Sequence, residues 1–196
     1  MIKKPRFGFQ RIIDEKLDKY KFWLISFLGI SAMFGNSMSK GLGDRFGFIG
    51  LLLYVILGGP IFAIIWAYLL SGLISWTGKW LKGQAKTNDI LNMISYATIP
   101  LILTLIIHLI YFGLFGSSIF TSSFDANDFG LFPFIIYKVG FFINLILLIY
   151  YCILFVIGVS VLQRFSILKS ILNIFLGIFV ILLPLTIIGF LIAKLR

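Results

Sequence analysis

Few side chains in this 196-residue sequence are of a type that does chemistry, and the ones that stand out lie inside long apolar runs. His108 is the single histidine, with Thr104 one helical turn before it. Lys138 is set about two turns into another apolar run, which also holds Asn144, and Asn173 lies in a further one. Asn92 stands near the start of the His108 run. One histidine and one cysteine, Cys152, cannot furnish the three or four N and S ligands of a zinc site. The sequence holds no Gly-Lys-Ser/Thr phosphate loop, no HExxH and no GxSxG. Its seven acidic residues are confined to an N-terminal arm and to the gaps between apolar runs. Paired carboxylates at depth are therefore missing, and acid–base, aspartyl-protease and proton-pump chemistry lose their basis. No catalytic residue, metal or cofactor is expected.

The background in which these residues sit is unusual. The chain is 60% hydrophobic and only 12% charged, with a mean hydropathy of +1.07. A soluble domain carries about twice that charged fraction. Too few polar residues remain to coat a water-facing surface, so lipid must do the covering. The net charge of +10 falls between apolar runs and in the arm, as anchors for anionic headgroups do; a nucleic-acid partner is not expected. Cys152 has no partner in the chain and reads as a small apolar filler.

About five runs are long enough for the roughly 20 residues that a membrane helix needs. They cover 22–39, 46–76, 90–115, 132–162 and 167–192. The expected fold is all-α, a bundle of about five transmembrane helices, with 1–21 as a basic cytoplasmic arm. Ile12, Ile13, Leu17 and Tyr20 fall near helical spacing in that arm, with Arg11, Lys16 and Lys19 elsewhere. An amphipathic helix on the membrane surface fits, and so does a solvated leader. The first run shows no clear Ala-x-Ala site and is expected to stay as a span rather than be cleaved. The 46–76 run is interrupted by Gly58-Gly59-Pro60. Proline removes a backbone donor and clashes with the turn before it, which leaves two options: one kinked span, or a lead-in segment plus a span. Pro100 and Pro184 lie inside the third and fifth spans, Pro133 opens the fourth, and Asn88 or Asp89 can cap the third.

With the N-terminus inside, twelve Lys and Arg fall on the inner side and four on the outer, Lys138 being left out as intramembrane. The positive-inside rule then places the N-terminus in the cytoplasm and the C-terminus outside. Trp23, Trp76 and Trp80 flank expected boundaries, where indoles anchor; Trp66 does not. Gly59, Ala63, Ala67, Ser71 and Ser75 recur every four residues along one helix face, and Ser31, Gly35 and Ser39 repeat this in the first span. Such stripes let helices approach closely, within the chain or between chains. At depth, His108 reads as either a functional ionisable group or an interhelical hydrogen-bonding one, the second being the heavier reading. Lys138 is expected to snorkel toward the Asp125/Asp128 loop, with an anionic ligand as the alternative. Asn144 and Asn173, and a wetter Asn92, are candidates for an interhelical polar network.

The stretch from Gly59 to about Leu103 resembles the Yip1-domain family of small multispanning proteins. Gly59-Pro60 opens an apolar helix, Gly78-Lys79 ends it, and Ser95-Tyr96-Ala97-Thr98-Ile99-Pro100 looks like the family's tyrosine-and-proline segment. Gly59, Pro60, Tyr96 and Pro100 carry the likeness. Eukaryotic members tend to have an acidic residue where this chain reads Ile56-Leu57-Gly58, and a longer arm. The many Ile, Phe, Lys and Asn residues point to an AT-rich genome and so to a bacterial member, for which the resemblance implies the plasma membrane and association with an ABC-type exporter. Two functions follow as expectations: a non-enzymatic scaffold or accessory subunit that binds membrane proteins or itself through small-residue faces; or a transporter or channel for a small solute or lipid, sited at the proline breaks of spans 2, 3 and 5.

Overall fold

A computed structural model describes residues 5–15 and 18–194. Lys3, Lys4, Lys16, Leu17 and Arg196, counted above, lie outside the described residues, as does the side chain of Ile13. Every regular element among the described residues is helical. Helix α1 (Pro5–Asp14) precedes α2 (Lys21–Ser39), α3 (Phe48–Leu53), α4 (Gly59–Trp80), α5 (Thr87–Ala97), α6 (Ile99–Phe115), α7 (Leu131–Gln163) and α8 (Ile167–Lys194). Five stretches are long and apolar enough to cross a membrane: Lys21–Ser39, Phe48–Trp80, Thr87–Phe120, Leu131–Gln163 and Ile167–Pro184.

The proline positions decide where the second and third spans depart from plain α-helix. Between α3 and α4 the chain makes a π turn, Tyr54–Gly58, directly before Gly59-Pro60. The 46–76 run is thus one continuous span rather than a lead-in plus a span. The proline ring clashes with the carbonyl four residues back, and a π turn relieves that by widening the ladder. The third span holds Pro100 inside it, as expected, and is not one regular helix. It breaks at Thr98, and Pro100 sits in the first turn of α6. A missing N–H costs nothing there. The Thr98 carbonyl takes the first bonds of the new helix, from the amides of Leu101 (2.9 Å) and Ile102 (3.1 Å). Pro184, by contrast, lies within a continuous α8.

Just past the ends of α4 and α7 stand basic residues in the left-handed region, Lys82 (φ 63°) and Arg164 (φ 56°). The Gly83 amide then reaches the Gly78 carbonyl at 2.8 Å, and the Phe165 amide reaches that of Ser160 at 3.0 Å. These six-to-one bonds close helix ends that would otherwise leave orphan carbonyls. Positive charge at a helix C-terminus also meets the negative end of its dipole.

The chain divides into two compact units. The first comprises Met1–Asp18, Ala67–Ile94 and Leu154–Arg196. Here α1 does not lie free. Phe9 and Ile12 are buried, and Phe9 packs with Met93 over Gly158. The apolar face expected on a membrane surface is thus covered by protein at these two positions, while Tyr20 lies outside α1 and is exposed. The second unit comprises Lys19–Trp66 and Ser95–Ile153. Its core gathers Phe34, Leu42, Leu51, Val55, Tyr111 and Phe115. Large apolar side chains such as Ile61, Phe62, Ile65 and Phe142 stay exposed, while Ser31, Ser71, Thr77, Gln163 and Asn173 are buried. Apolar outside and small or polar inside is the inversion that a lipid solvent permits.

Connections meet in the pairs that alternating spans require. In the second unit the first and third connections touch through Asp44, whose carboxylate accepts from the Ser122 amide at 2.8 Å. In the first unit the second connection meets the end of α7, the Ala85 amide donating to Gln163 at 3.1 Å. Ser122, through its hydroxyl first and its amide second, holds the Asp44 carboxyl below its ordinary value of 3.8. A depressed folded pKa gives a contribution present above the unfolded value and lost as pH falls through the folded one. Hydrogen exchange at the Ser122 amide should therefore lose its protection only below the ordinary value of 3.8. Asp44→Ala should show that loss already at neutral pH, and unchanged protection in this variant would sever the link drawn between the loops.

Candidate functional site

The small-residue stripe of α4 is turned inward, against the chain itself. In the second unit, Gly59 meets Gly29 of α2 backbone to backbone: a Cβ added at Gly59 would sit 2.7 Å from the Gly29 carbonyl oxygen. A Cβ at Gly29 would also lie 2.8 Å from that of Ala63. In the first unit, Ala67, Ser71 and Ser75 are buried, and Ser75 donates to the Ala85 carbonyl at 3.0 Å. The family-like residues occupy the backbone irregularities. Gly59 and Pro60 follow the π turn, and Tyr96 and Pro100 flank the break at Thr98.

The polar residues of the first unit form a bonded lattice. Asn173, fully buried, accepts from the Thr77 hydroxyl at 2.8 Å and donates to the Ile74 carbonyl at 3.3 Å. Gln163, 1% exposed, donates to that same carbonyl at 3.2 Å while accepting from Ala85. Its amide fills the space left by Gly78 and Gly83. In sequence, Gln163 belongs to a short polar break and gives no sign of this; only the fold sets it against two facing glycines. Asn92, in the same unit, hydrogen-bonds the Asp18 side chain. Asn92 and Asn173 thus bond to different partners, and Asn144 belongs to the other unit.

In the second unit, Ser31 of α2 bonds the Leu101 carbonyl (3.1 Å) and the Thr104 hydroxyl (2.7 Å) of α6. One turn beyond Thr104, the His108 ring stacks on Phe34, with centroids 5.6 Å apart and planes within 4°. Gly35 makes room for it: a Cβ there would stand 3.0 Å from His108 Cε1. Tyr111 donates to the Tyr137 carbonyl of α7 at 2.7 Å, across the gap that Gly140 leaves open. A cavity of about 260 Å³ is lined by Gly35, His108, Tyr111, Tyr137, Phe141 and Asn144, among others. His108 and Asn144 are thus neighbours of one space. His108 Nδ1 and Asn144 Oδ1 are buried with no hydrogen-bond partner among the described residues. Leaving a buried polar atom unpaired costs about 1–3 kcal/mol.

Lys138 is not part of this cavity. It is exposed, and its ammonium lies 5.3 Å from the Phe134 ring centroid, one turn toward the N-terminus of α7. Its charge reaches Asp125, whose carboxyl lies below its ordinary range, chiefly through hydrogen bonds from Asn127 and last through Lys138. Cys152 is exposed, which corrects its reading as a buried filler. All four tryptophans, Trp66 included, are exposed. No group of three or more potential metal-ligating residues occurs among the described residues.

Comparison with known proteins agrees with this architecture. A family model described as the Yip1 domain matches residues 1–189. Searches of curated proteins and of solved structures find no match. The matched range holds all five spans, the π turn beside Gly59-Pro60 and the break before Pro100, and the chain belongs to the Yip1-domain family.

Proposed function

We propose that this multispanning membrane protein is a non-enzymatic scaffold or accessory subunit for other membrane proteins of the plasma membrane. Its partner class is an export complex, with an ABC-type exporter as the form that family resemblance favours, and its N-terminal arm is cytoplasmic. The observation that carries this reading is the use to which the spans put their polar groups. Gln163, Asn173, Thr77, Ser75, Ser31 and Thr104 all bond to other elements of the chain or to one another. The chain is thereby a frame, with broad apolar faces on α4 and α7 turned outward. Because the stripe from Gly59 to Ser75 packs inside the chain, the faces left for a partner are those of Phe62, Trp66 and Leu69.

A photo-crosslinker at Phe62 or Trp66 in native membranes should capture one defined membrane protein or a second copy of the chain. The same group at Ala67 should capture neither. Adducts to lipid alone from every exposed position of α4 and α7 would sink the scaffold reading. The transport reading expects a site at the proline breaks, and the cavity beside His108 is lined by none of Pro60, Pro100 and Pro184. Solute flux in liposomes abolished by His108→Ala would reverse that preference.

A further inference from the structure

We infer that the cavity between α2, α6 and α7 binds the headgroup of an uncharged lipid alcohol, its hydroxyl placed between His108 and Asn144. This goes beyond the scaffold reading and does not depend on it. Three features of the cavity select that chemistry. Its lining contains no Lys, Arg, Asp or Glu, so a charged headgroup would find no counter-charge there. Its walls are largely aromatic and aliphatic, with Phe124, Phe141, Tyr137 and Ile119 among them. Phe141 is itself 59% exposed on α7, so the cavity reaches the apolar surface that hydrocarbon covers.

The polar part of the lining is short of partners in a specific way. His108 and Asn144 each keep a buried atom unbonded, Nδ1 and Oδ1. Tyr111 already donates to the Tyr137 carbonyl, and Ser39 to that of Asn36, so neither hydroxyl proton serves them. The terminal torsions of His and Asn are broad and roughly two-fold. A half-turn would carry the unbonded Nδ1 or Oδ1 to the other side of its group without moving a helix, at the cost of the contacts its present orientation makes. A ligand hydroxyl is the group that both residues can then satisfy, since it donates and accepts at once. A space of about 260 Å³ takes a glycerol-sized head and the first methylenes of its chains, and the remainder lies in the bilayer.

The test uses the full chain in phosphatidylcholine nanodiscs with a diazirine-bearing diacylglycerol. Saturable labelling should map to α6 and α7 around Tyr111 and Phe141. Unlabelled diacylglycerol should compete, and its O-methyl ether should compete at least tenfold more weakly, a difference of about 1.4 kcal/mol. His108→Phe and Asn144→Leu should each reduce labelling by a similar factor while unfolding like the parent. The ether comparison needs no variant, so a variant that fails to fold does not remove the test. An ether that competes as well as the alcohol overturns the proposal. So does labelling that never saturates, or that spreads equally over the outward faces with a phosphatidylcholine probe.

Discussion

Gly29→Ala should destabilise the chain by about 3 kcal/mol, the upper part of the range for overpacking a tight contact. The added methyl would meet the Gly59 carbonyl, and Ala63 Cβ at 2.8 Å. A flexible side chain yields cheaply to such a clash, but the Gly59 backbone cannot move without moving α4. Separating α2 from α4 then forfeits contact that lipid does not drive to re-form, because helix association in a bilayer rests on close packing. Ala63→Gly should restore only part of the loss, since it removes one of the two collisions. The control is Gly72→Ala, in α4 itself, where an added Cβ meets nothing within 4 Å. That variant should be neutral, or more stable by up to about 1 kcal/mol, the difference in helix propensity. Reversible unfolding in mixed micelles, followed by circular dichroism, measures both. A Gly29→Ala protein as stable as the parent would mean that α2 and α4 do not cross at these residues.

The spans were readable in sequence because the bilayer dictates both their length and their composition. Five apolar runs separated by basic or acidic gaps leave little choice, and 132–162 meets Leu131–Gln163 almost residue for residue. The close approach at Gly59 was readable for a related reason: a row of small residues at four-residue spacing clears one helix face so that another backbone can reach it. What the sequence concealed is helix rotation. Where nearly every face of a run is apolar, no periodicity says which side turns inward, and the partner of a polar side chain stays unknown. Asn173 was visible as glue, but Thr77 as its partner was not, and Gln163 looked like part of a turn. The prolines marked the right places without naming the outcome. Pro60 is absorbed by a π turn and Pro100 by a fresh helix start, while α8 runs on through Pro184 short of the one bond its missing N–H would make. The choice among these depends on what packs around each ring. His108 and Asn144 stand in different apolar runs, and only the pairing of α6 with α7 brings them to one cavity.

The same concealed rotation makes Gln163 the second site of large expected effect. Its amide ties both the Ile74 carbonyl of α4 and the Ala85 amide of the following connection to the end of α7. Gln163→Leu keeps roughly the volume and removes both bonds. The Ala85 N–H is then buried without an acceptor, and the loss should be about 2–3 kcal/mol. Asn173→Leu should cost less, about 1–2 kcal/mol, because it surrenders the Thr77 hydroxyl, which still has the Leu73 carbonyl at 2.8 Å. The two residues share the Ile74 carbonyl as acceptor, so their effects should not add. Either single variant leaves that oxygen one side-chain donor, and the double variant leaves none. The double loss should therefore exceed the sum by at least about 0.5 kcal/mol, the coupling expected of groups in one network. Gly78→Ala should imitate Gln163→Leu, since its methyl would occupy the place of the Gln163 amide. A double-mutant cycle that closes to zero would show that the two amides act independently, and Gln163→Leu and Gly78→Ala both neutral would show that the Gln163 amide does not hold α4 to the end of α7.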